Sequence, residues 1–344
     1  MTRTHAVSLR PGLELDFTRA PLTVAWEITR ACPLRCLHCR ADAQHRRDPA
    51  ELTTEEGLDL VGQAAAMGVQ VFVVTGGDPL ARPDCFDFLA AASGHGMHAG
   101  FSPASPPSQA RDARAGRRRG TGTVHLSLDG ARAEIHDGFR GVKGAFERTL
   151  RLLEVTAGLD VRLHVGTTVS RRTRADLEAM VPLLEGLVDL WSLFFLVPTG
   201  RGQVADLLSP EEHEEVMVWA ATADLPFPVR TIAGPTYRRI LAQRGLPVMP
   251  GVNDGKGFCF VSHRGEVCPS GFLQLPVGNV RDAPLADWYR DSPLFVALRD
   301  PERLGGKCGR CDYRALCGGS RARAWALTGD PLAADPTCAY EPPG

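Results

Sequence analysis

Near the start of the chain, Cys32-Pro-Leu-Arg-Cys36-Leu-His-Cys39 sets three thiols in one short loop, with three and then two residues between them. The loop follows an apolar run, Leu22-Thr-Val-Ala-Trp-Glu-Ile28, that reads as a buried strand. Three thiols can converge on one metal centre, but structural zinc sites and ordinary ferredoxin clusters take four protein ligands. A three-cysteine loop at a strand's carboxyl end therefore points to an iron–sulfur cube with one iron left for a ligand that is not protein. The plainer alternatives are buried thiols or a partial zinc site. A second set, Cys308-x2-Cys311-x5-Cys317 with a distal Cys338, is a complete four-thiolate site. From spacing alone it suits an iron–sulfur cluster or a zinc ribbon.

Two further stretches carry groups that could hold a ligand. Thr75-Gly76-Gly77-Asp78-Pro79-Leu80 closes the second expected strand; its glycines allow close backbone approach, and its carboxylate can accept from an ammonium group. Ser127-Leu-Asp129-Gly130 closes the fourth, and Ser127 and Asp129 alternate to the same side. Arg140, in Phe139-Arg140-Gly141, is a candidate carboxylate partner, and Thr167 and Thr168 are weaker candidates at the end of the fifth strand. Glu27 and Asp312 are the nearest suggestions for an acid or base, and no catalytic residue is assigned. Cys85, within a helical stretch, reads as packing; Cys259 and Cys268 read as core thiols on a small hairpin or as ligands of an unusual second site.

The elements that must position these groups follow a strand–helix rhythm. Strands are expected at 22–28, 69–75, 97–102, 123–129, 161–169 and 190–198, and helices from Thr53 or Thr54 to Gly68 and over 84–93, 145–157, 174–186 and 210–222. This is an α/β pattern with a parallel sheet or barrel, in which ligands sit at the carboxyl ends of the strands. The stretch 103–122, Pro-rich and then Arg117-Arg-Arg, reads as a short, poorly formed helix and a solvated basic loop. The expected division is an arm over 1–20, a barrel over 21–205, a helical connector over 206–250 and a small cysteine-rich, metal-stapled domain over 251–344.

Composition narrows the function classes. The 344 residues are 44% hydrophobic with a net charge of −1, which offers nothing to nucleic acid or an anionic membrane. No apolar run is long enough to span a bilayer and the first ten residues lack a signal core, so a cytoplasmic location is expected. Ten cysteines in a reducing compartment point to metal or redox chemistry rather than disulfides.

Taken together, the cysteine loop, the Gly-Gly-Asp-Pro turn and the Ser-Leu-Asp-Gly strand end resemble the radical S-adenosylmethionine (radical SAM) enzymes, and the late cysteines resemble their SPASM or twitch extension. The resemblance implies a partial (β/α)6 barrel with a small C-terminal cysteine-rich iron–sulfur domain. It implies a [4Fe-4S] cluster on Cys32, Cys36 and Cys39 whose open iron chelates S-adenosylmethionine, giving a 5′-deoxyadenosyl radical. Gly76, Gly77 and Asp78 would hold the methionyl amine, Ser127, Asp129 and Arg140 the ribose and carboxylate, and His38 would stack near the adenine. Cys308, Cys311, Cys317 and Cys338 would carry one auxiliary [4Fe-4S] cluster. Of the full SPASM pattern, Ser270 and Arg321 occupy positions where cysteines are expected, so the first auxiliary cluster has lost its ligands. Trp-Glu-Ile-Thr-Arg-Ala-Cys, Phe-Arg-Gly-Val, Val-Pro-Thr-Gly-Arg-Gly and Gly-Gly-Ser-Arg-Ala-Arg look most like the tetrapyrrole-modifying branch. That favours a carboxylated small molecule, tetrapyrrole-, nucleoside- or sugar-acid-like, over a precursor peptide. It also implies an external one-electron donor of flavodoxin or ferredoxin type. A non-catalytic iron–sulfur or zinc protein is the reading from another class.

Overall fold

The computed structural model describes residues 16–104, 120–159, 161–249 and 251–343. Most of the expected arm, and the arginine-rich stretch, lie outside the described residues. Seven strands, β1 (Thr23–Glu27), β2 (Val71–Thr75), β3 (His98–Phe101), β4 (Thr121–Ser127), β5 (Arg162–Val169), β6 (Leu190–Phe195) and β7 (Val229–Ile232), pair in parallel in chain order. Helices cross over between them, among them Thr54–Ala66, Cys85–Gly94, Ala145–Ala157, Leu177–Leu184 and Pro210–Thr222. β7 falls within the stretch 206–250, where the sequence predicts a helical connector. Its four half-buried residues, Val-Arg-Thr-Ile, carry no apolar run to betray it.

After residue 251 the chain returns to the same sheet. β8 (Asn253–Asp254) lies beside β9 (Gly257–Val261); β9 pairs in parallel with β1, and β10 (Glu266–Cys268) and β11 (Gly278–Asn279) follow antiparallel. The order is β11-β10-β9-β1-β2-β3-β4-β5-β6-β7. β9 thus buries the edge that β1 would otherwise expose.

Strand alternation sorts the side chains. Val24, Trp26, Phe72, Val74, Ala99 and Phe101 face the helices in one buried cluster, and Val124, Leu126, Leu163, Val165, Trp191 and Leu193 do so in another. Each large side chain buried there contributes about 1.5–3 kcal/mol relative to exposure. Trp26 meets the Phe88 ring edge-on at 4.7 Å. The first helix begins at a capping box between Thr53 and Glu56 and packs Leu60, Val61 and Ala64 inward. The opposite parity, His98, Gly100, His125, Ser127, His164, Gly166 and Ser192, leaves a polar inner face.

Candidate functional site

The triad loop leaves the carboxyl end of β1 and is gripped by the loops that follow β2, β4 and β6. Gly77 N donates to Thr29 O (2.7 Å) and Asp78 N to Ala31 O (2.7 Å), so the Gly-Gly-Asp turn runs against the backbone that leads into Cys32. A Cβ at Gly76 or Gly77 would stand 2.6 Å from a carbonyl oxygen of that backbone, which is why both positions are glycine. Arg35 N and Leu37 N donate to Arg140 O and Phe139 O at the end of the helix Ala133–Arg140. Behind Cys39, Arg201 N donates to its carbonyl (3.0 Å). Gly200 there has φ +58°, and a Cβ on it would lie 2.3 Å from Cys39 O. Gly200→Ala is therefore expected to cost about 1–2 kcal/mol in backbone strain alone and to push the Cys39 turn outward. The check is iron bound per chain after anaerobic reconstitution, which should fall below wild type.

Each thiol of the triad has a donor aimed at it: Leu34 N at Cys32 Sγ (3.4 Å), Ala43 N at Cys39 Sγ (3.4 Å) and Arg140 Nη1 at Cys36 Sγ (3.8 Å). Donors of this kind stabilise a thiolate, the form that binds metal. Burial first of all pushes Cys32 up to about 12, and burial raises Cys36 too, with Arg140 opposing it. A bound metal centre reverses that preference. Among the described residues no three His, Cys, Asp or Glu side chains converge as one ion requires; a cube spreads its ligands over separate iron corners.

Asp129 and Arg140 form the charged floor of this site. Arg140 Nη2 stands 2.5 Å from Asp129 Oδ2, with the aspartate side chain fully buried and the arginine 11% exposed. Asp129 Oδ1 also accepts from Thr168 N (2.7 Å), and Asp129 N donates to His136 Nδ1 (3.0 Å). The carboxylate is thus committed to orienting Arg140. Burial alone would raise Asp129, but Arg140 and the neighbouring histidines hold it below the usual carboxylate range. Ser127 lines a cleft with Leu34, Pro103, His136 and Arg140. Asp78 is buried and accepts from Leu80 N and Ala104 N. His38 stacks on Phe139, centroids 4.0 Å apart and planes 11° apart, and burial drives its pKa down to about 3. Thr167 points away from the site, donating to Leu128 O and accepting from Trp191 Nε1.

Glu27, one of the two suggested acid or base groups, is locked instead of poised. Its side chain is fully buried between Arg30 Nε (2.8 Å) and Arg40 Nη1 (2.8 Å), with His263 Nδ1 at 3.4 Å. Burial would raise its pKa, but Arg40, His263 and Arg30 together hold it down to about 2. The stability its charge confers, on the order of a few kcal/mol, is complete above about pH 4.5 and lost as pH falls towards about 2. Glu27→Gln should lack this acid-side loss when unfolding free energy is followed by denaturant titration between those pH values. Asp312 is exposed.

The late cysteines gather round one cleft, lined by Cys308, Cys311, Cys317 and Cys338 with Arg239 and Tyr340. Gly319 N is aimed at Cys317 Sγ (3.4 Å), and Asp335 N (3.4 Å) and Arg321 Nη2 (3.8 Å) at Cys308 Sγ. Consecutive left-handed glycines, Gly318 (φ +69°) and Gly319 (φ +64°), make that turn. Cys259 and Cys268 do not form a second site. Phe260 opposes Cys268 across β9 and β10 and shares its face, so Cys259 points to the helix side with Trp26 and Cys268 to the inner side with Ala25. Cys85 is buried in the Trp26 cluster. Sequence reasoning missed Gly200 and Arg201 as supports of the triad; a Gly-x-Gly directly after a strand end was the available signal of close backbone approach.

A parallel sheet with a three-thiol loop at its carboxyl end defines a radical SAM partial barrel, and the chain belongs to the radical SAM superfamily, whose family model matches residues 26–184. Membership implies S-adenosylmethionine and a [4Fe-4S] cluster. The chain is 38% identical to an AdoMet-dependent heme synthase of Oleidesulfovibrio alaskensis, covering 95% of this chain and 89% of that one. A Methanosarcina barkeri protein of the same name is 36% identical, covering 95% and 99%. Among solved structures, Streptococcus suis SuiB bound to precursor peptide SuiA superposes with a TM-score of 0.75 at 16% identity, covering 94% of this chain and 76% of SuiB, a likeness of fold.

Proposed function

We propose that this chain acts on the carboxylated side chains of a tetrapyrrole in the formation of haem, by hydrogen abstraction beside a propionate that leads to oxidation or decarboxylation. The observation that carries this is the end-to-end match, at 36–38% identity, to proteins named AdoMet-dependent heme synthase. On this reading the chain divides into an arm (1–20), the barrel (21–205), a connector (206–250) and a cluster-bearing region (251–344).

Cys32, Cys36 and Cys39 would hold the core cluster, and the donors aimed at their sulfurs suit that charge. With S-adenosylmethionine bound, the cluster supplies a 5′-deoxyadenosyl radical, the reagent for hydrogen abstraction. Gly76 and Gly77 let the backbone approach the cofactor, and the Asp78 carboxylate takes its ammonium group. Ser127 faces the ribose, His38 flanks the adenine on the Phe139 side, and Asp129 holds Arg140 in place. Cys308, Cys311, Cys317 and Cys338 would carry the auxiliary [4Fe-4S] cluster, and electrons would come from an external flavodoxin- or ferredoxin-type donor.

The test is anaerobic reconstitution followed by incubation with a reductant, S-adenosylmethionine and an iron tetrapyrrole bearing propionates. After hydrogen abstraction the propionate radical would lose carbon dioxide and one electron, which passes to an external one-electron acceptor, so expected products are 5′-deoxyadenosine, carbon dioxide and haem. Turnover of a ribosomal precursor peptide with no change in the tetrapyrrole would overturn the proposal.

A further inference from the structure

Below the cofactor end of the barrel, the inner face carries a cluster of cation and N–H donors that the site above does not use. Arg230 on β7 donates from Nε to Ser192 Oγ on β6 (2.8 Å), its neighbour in register. His164 on β5 lies in register with His125 on β4, and their rings meet edge-on at 4.9 Å. His98 on β3 bonds Thr123 Oγ1 through Nε2 (2.6 Å). Gly100 and Gly166 make the room, since a Cβ on them would stand 3.4 Å from His125 Nε2 and 2.9 Å from the Phe194 ring. His125 is two residues, about 7 Å along the strand, below Ser127.

Among the described residues no acid faces this cluster. Other arginines with buried guanidinium groups among the described residues have partners: Arg82, Arg140, Arg239 and Arg323 pair with carboxylates, and Arg238 and Arg321 bond backbone carbonyls. Among the described residues Arg230 has no ion pair, and its one hydrogen bond is to Ser192. The charges that bear on the three imidazoles are one another, Arg230 and Arg162, all of which oppose protonation along with burial. His164 is 6% exposed and its Nδ1 is buried without a hydrogen-bond partner. Arg230, His125 and His98 are each only partly buried. A guanidinium and neutral imidazoles held without a counter-charge are costly unless a ligand completes them. The ligand that matches a planar fork of donors is a carboxylate.

We propose that Arg230, Ser192, His164 and His125 form a carboxylate-binding subsite in the barrel lumen that seats one acidic side chain of the substrate. That the substrate is a tetrapyrrole rests on the reading above; the subsite itself requires only a carboxylate. Arg230 would be a specificity-determining residue, anchoring one carboxylate at depth so that the far side of the molecule faces the cofactor end.

The test uses reconstituted holoenzyme, with cluster absorbance and thermal midpoint as fold controls, and titrates a propionate-bearing iron tetrapyrrole and its methyl ester. Wild type should prefer the acid by about tenfold or more; Arg230→Gln should lose that preference and Arg230→Lys recover part of it. In parallel, sodium propionate is titrated into protein labelled with 15N-histidine, where the His164 and His125 signals should move in wild type and not in Arg230→Gln. If the tetrapyrrole fails to bind but propionate moves those signals, the subsite stands and the tetrapyrrole reading falls. If the tetrapyrrole binds and Arg230→Gln keeps the acid-over-ester preference, the subsite falls alone. If neither ligand binds, both are overturned.

Discussion

Alanine in place of Cys36 is expected to abolish release of 5′-deoxyadenosine from S-adenosylmethionine and to lower bound iron by about four per chain. The loop holds no substitute ligand. His38, the nearest imidazole in sequence, lies flat on Phe139 and is driven towards the neutral form by burial, with its ring committed to that stack. Cys36 is also the thiol that Arg140 reaches, so its loss leaves the buried Asp129–Arg140 pair intact but without the sulfur it faces. The fold should survive, because the loop and its lead-in are held by backbone bonds to Phe139, Arg140, Gly77 and Asp78 that do not involve the sulfur. Retained 5′-deoxyadenosine release, measured by chromatography with dithionite as reductant, would remove the triad from its assigned role.

Much of the site was legible because its chemistry is local in sequence. The triad, the Gly-Gly-Asp turn and Ser127 to Asp129 each sit at a strand end, and alternation along a strand fixes which face a side chain takes. The strands of the barrel announced themselves as apolar runs; helix-facing residues such as Phe72, Val74 and Trp191 are what the helices cover. What stayed hidden depends on long-range pairing. β7 has an arginine where an apolar residue would have marked it, and only the strand pairing sets that arginine in register with Ser192. That β9 would join β1 was equally unreadable, since nothing in Gly257-Phe-Cys-Phe-Val261 names its partner. The opposite facing of Cys259 and Cys268 follows from that pairing. Glu27 looked like a free acid at a strand end, and only the fold brings Arg40 and His263 against it.

Asp335→Ala is expected to destabilise the region round the late cysteines by about 3–5 kcal/mol, the effect of leaving a buried cation unpaired. Asp335 and Arg323 have side chains 0% and 1% exposed, with Arg323 Nη2 3.2 Å from Asp335 Oδ2. The same carboxylate accepts from Ser320 N (2.8 Å), Thr337 N (3.1 Å) and Thr337 Oγ1 (3.0 Å), so it holds the turn after Cys317 and the approach to Cys338 together. Arg323 reaches on to Leu196 O (3.4 Å), which ties this segment to the end of β6. Burial would raise the Asp335 pKa, but Arg323 outweighs it and holds the group well below the usual carboxylate range. Its contribution is therefore complete at neutral pH and lost only in strong acid. Asp335→Ala should lower the denaturant midpoint at pH 7 and, if the proposed auxiliary cluster sits on Cys308, Cys311, Cys317 and Cys338, lose about four irons while keeping those proposed for the triad. Asp335→Asn keeps the shape and some acceptor capacity but leaves Arg323 without a counter-charge, so it should fall between wild type and alanine. An unchanged midpoint for the alanine variant would show that the pair does not organise this region.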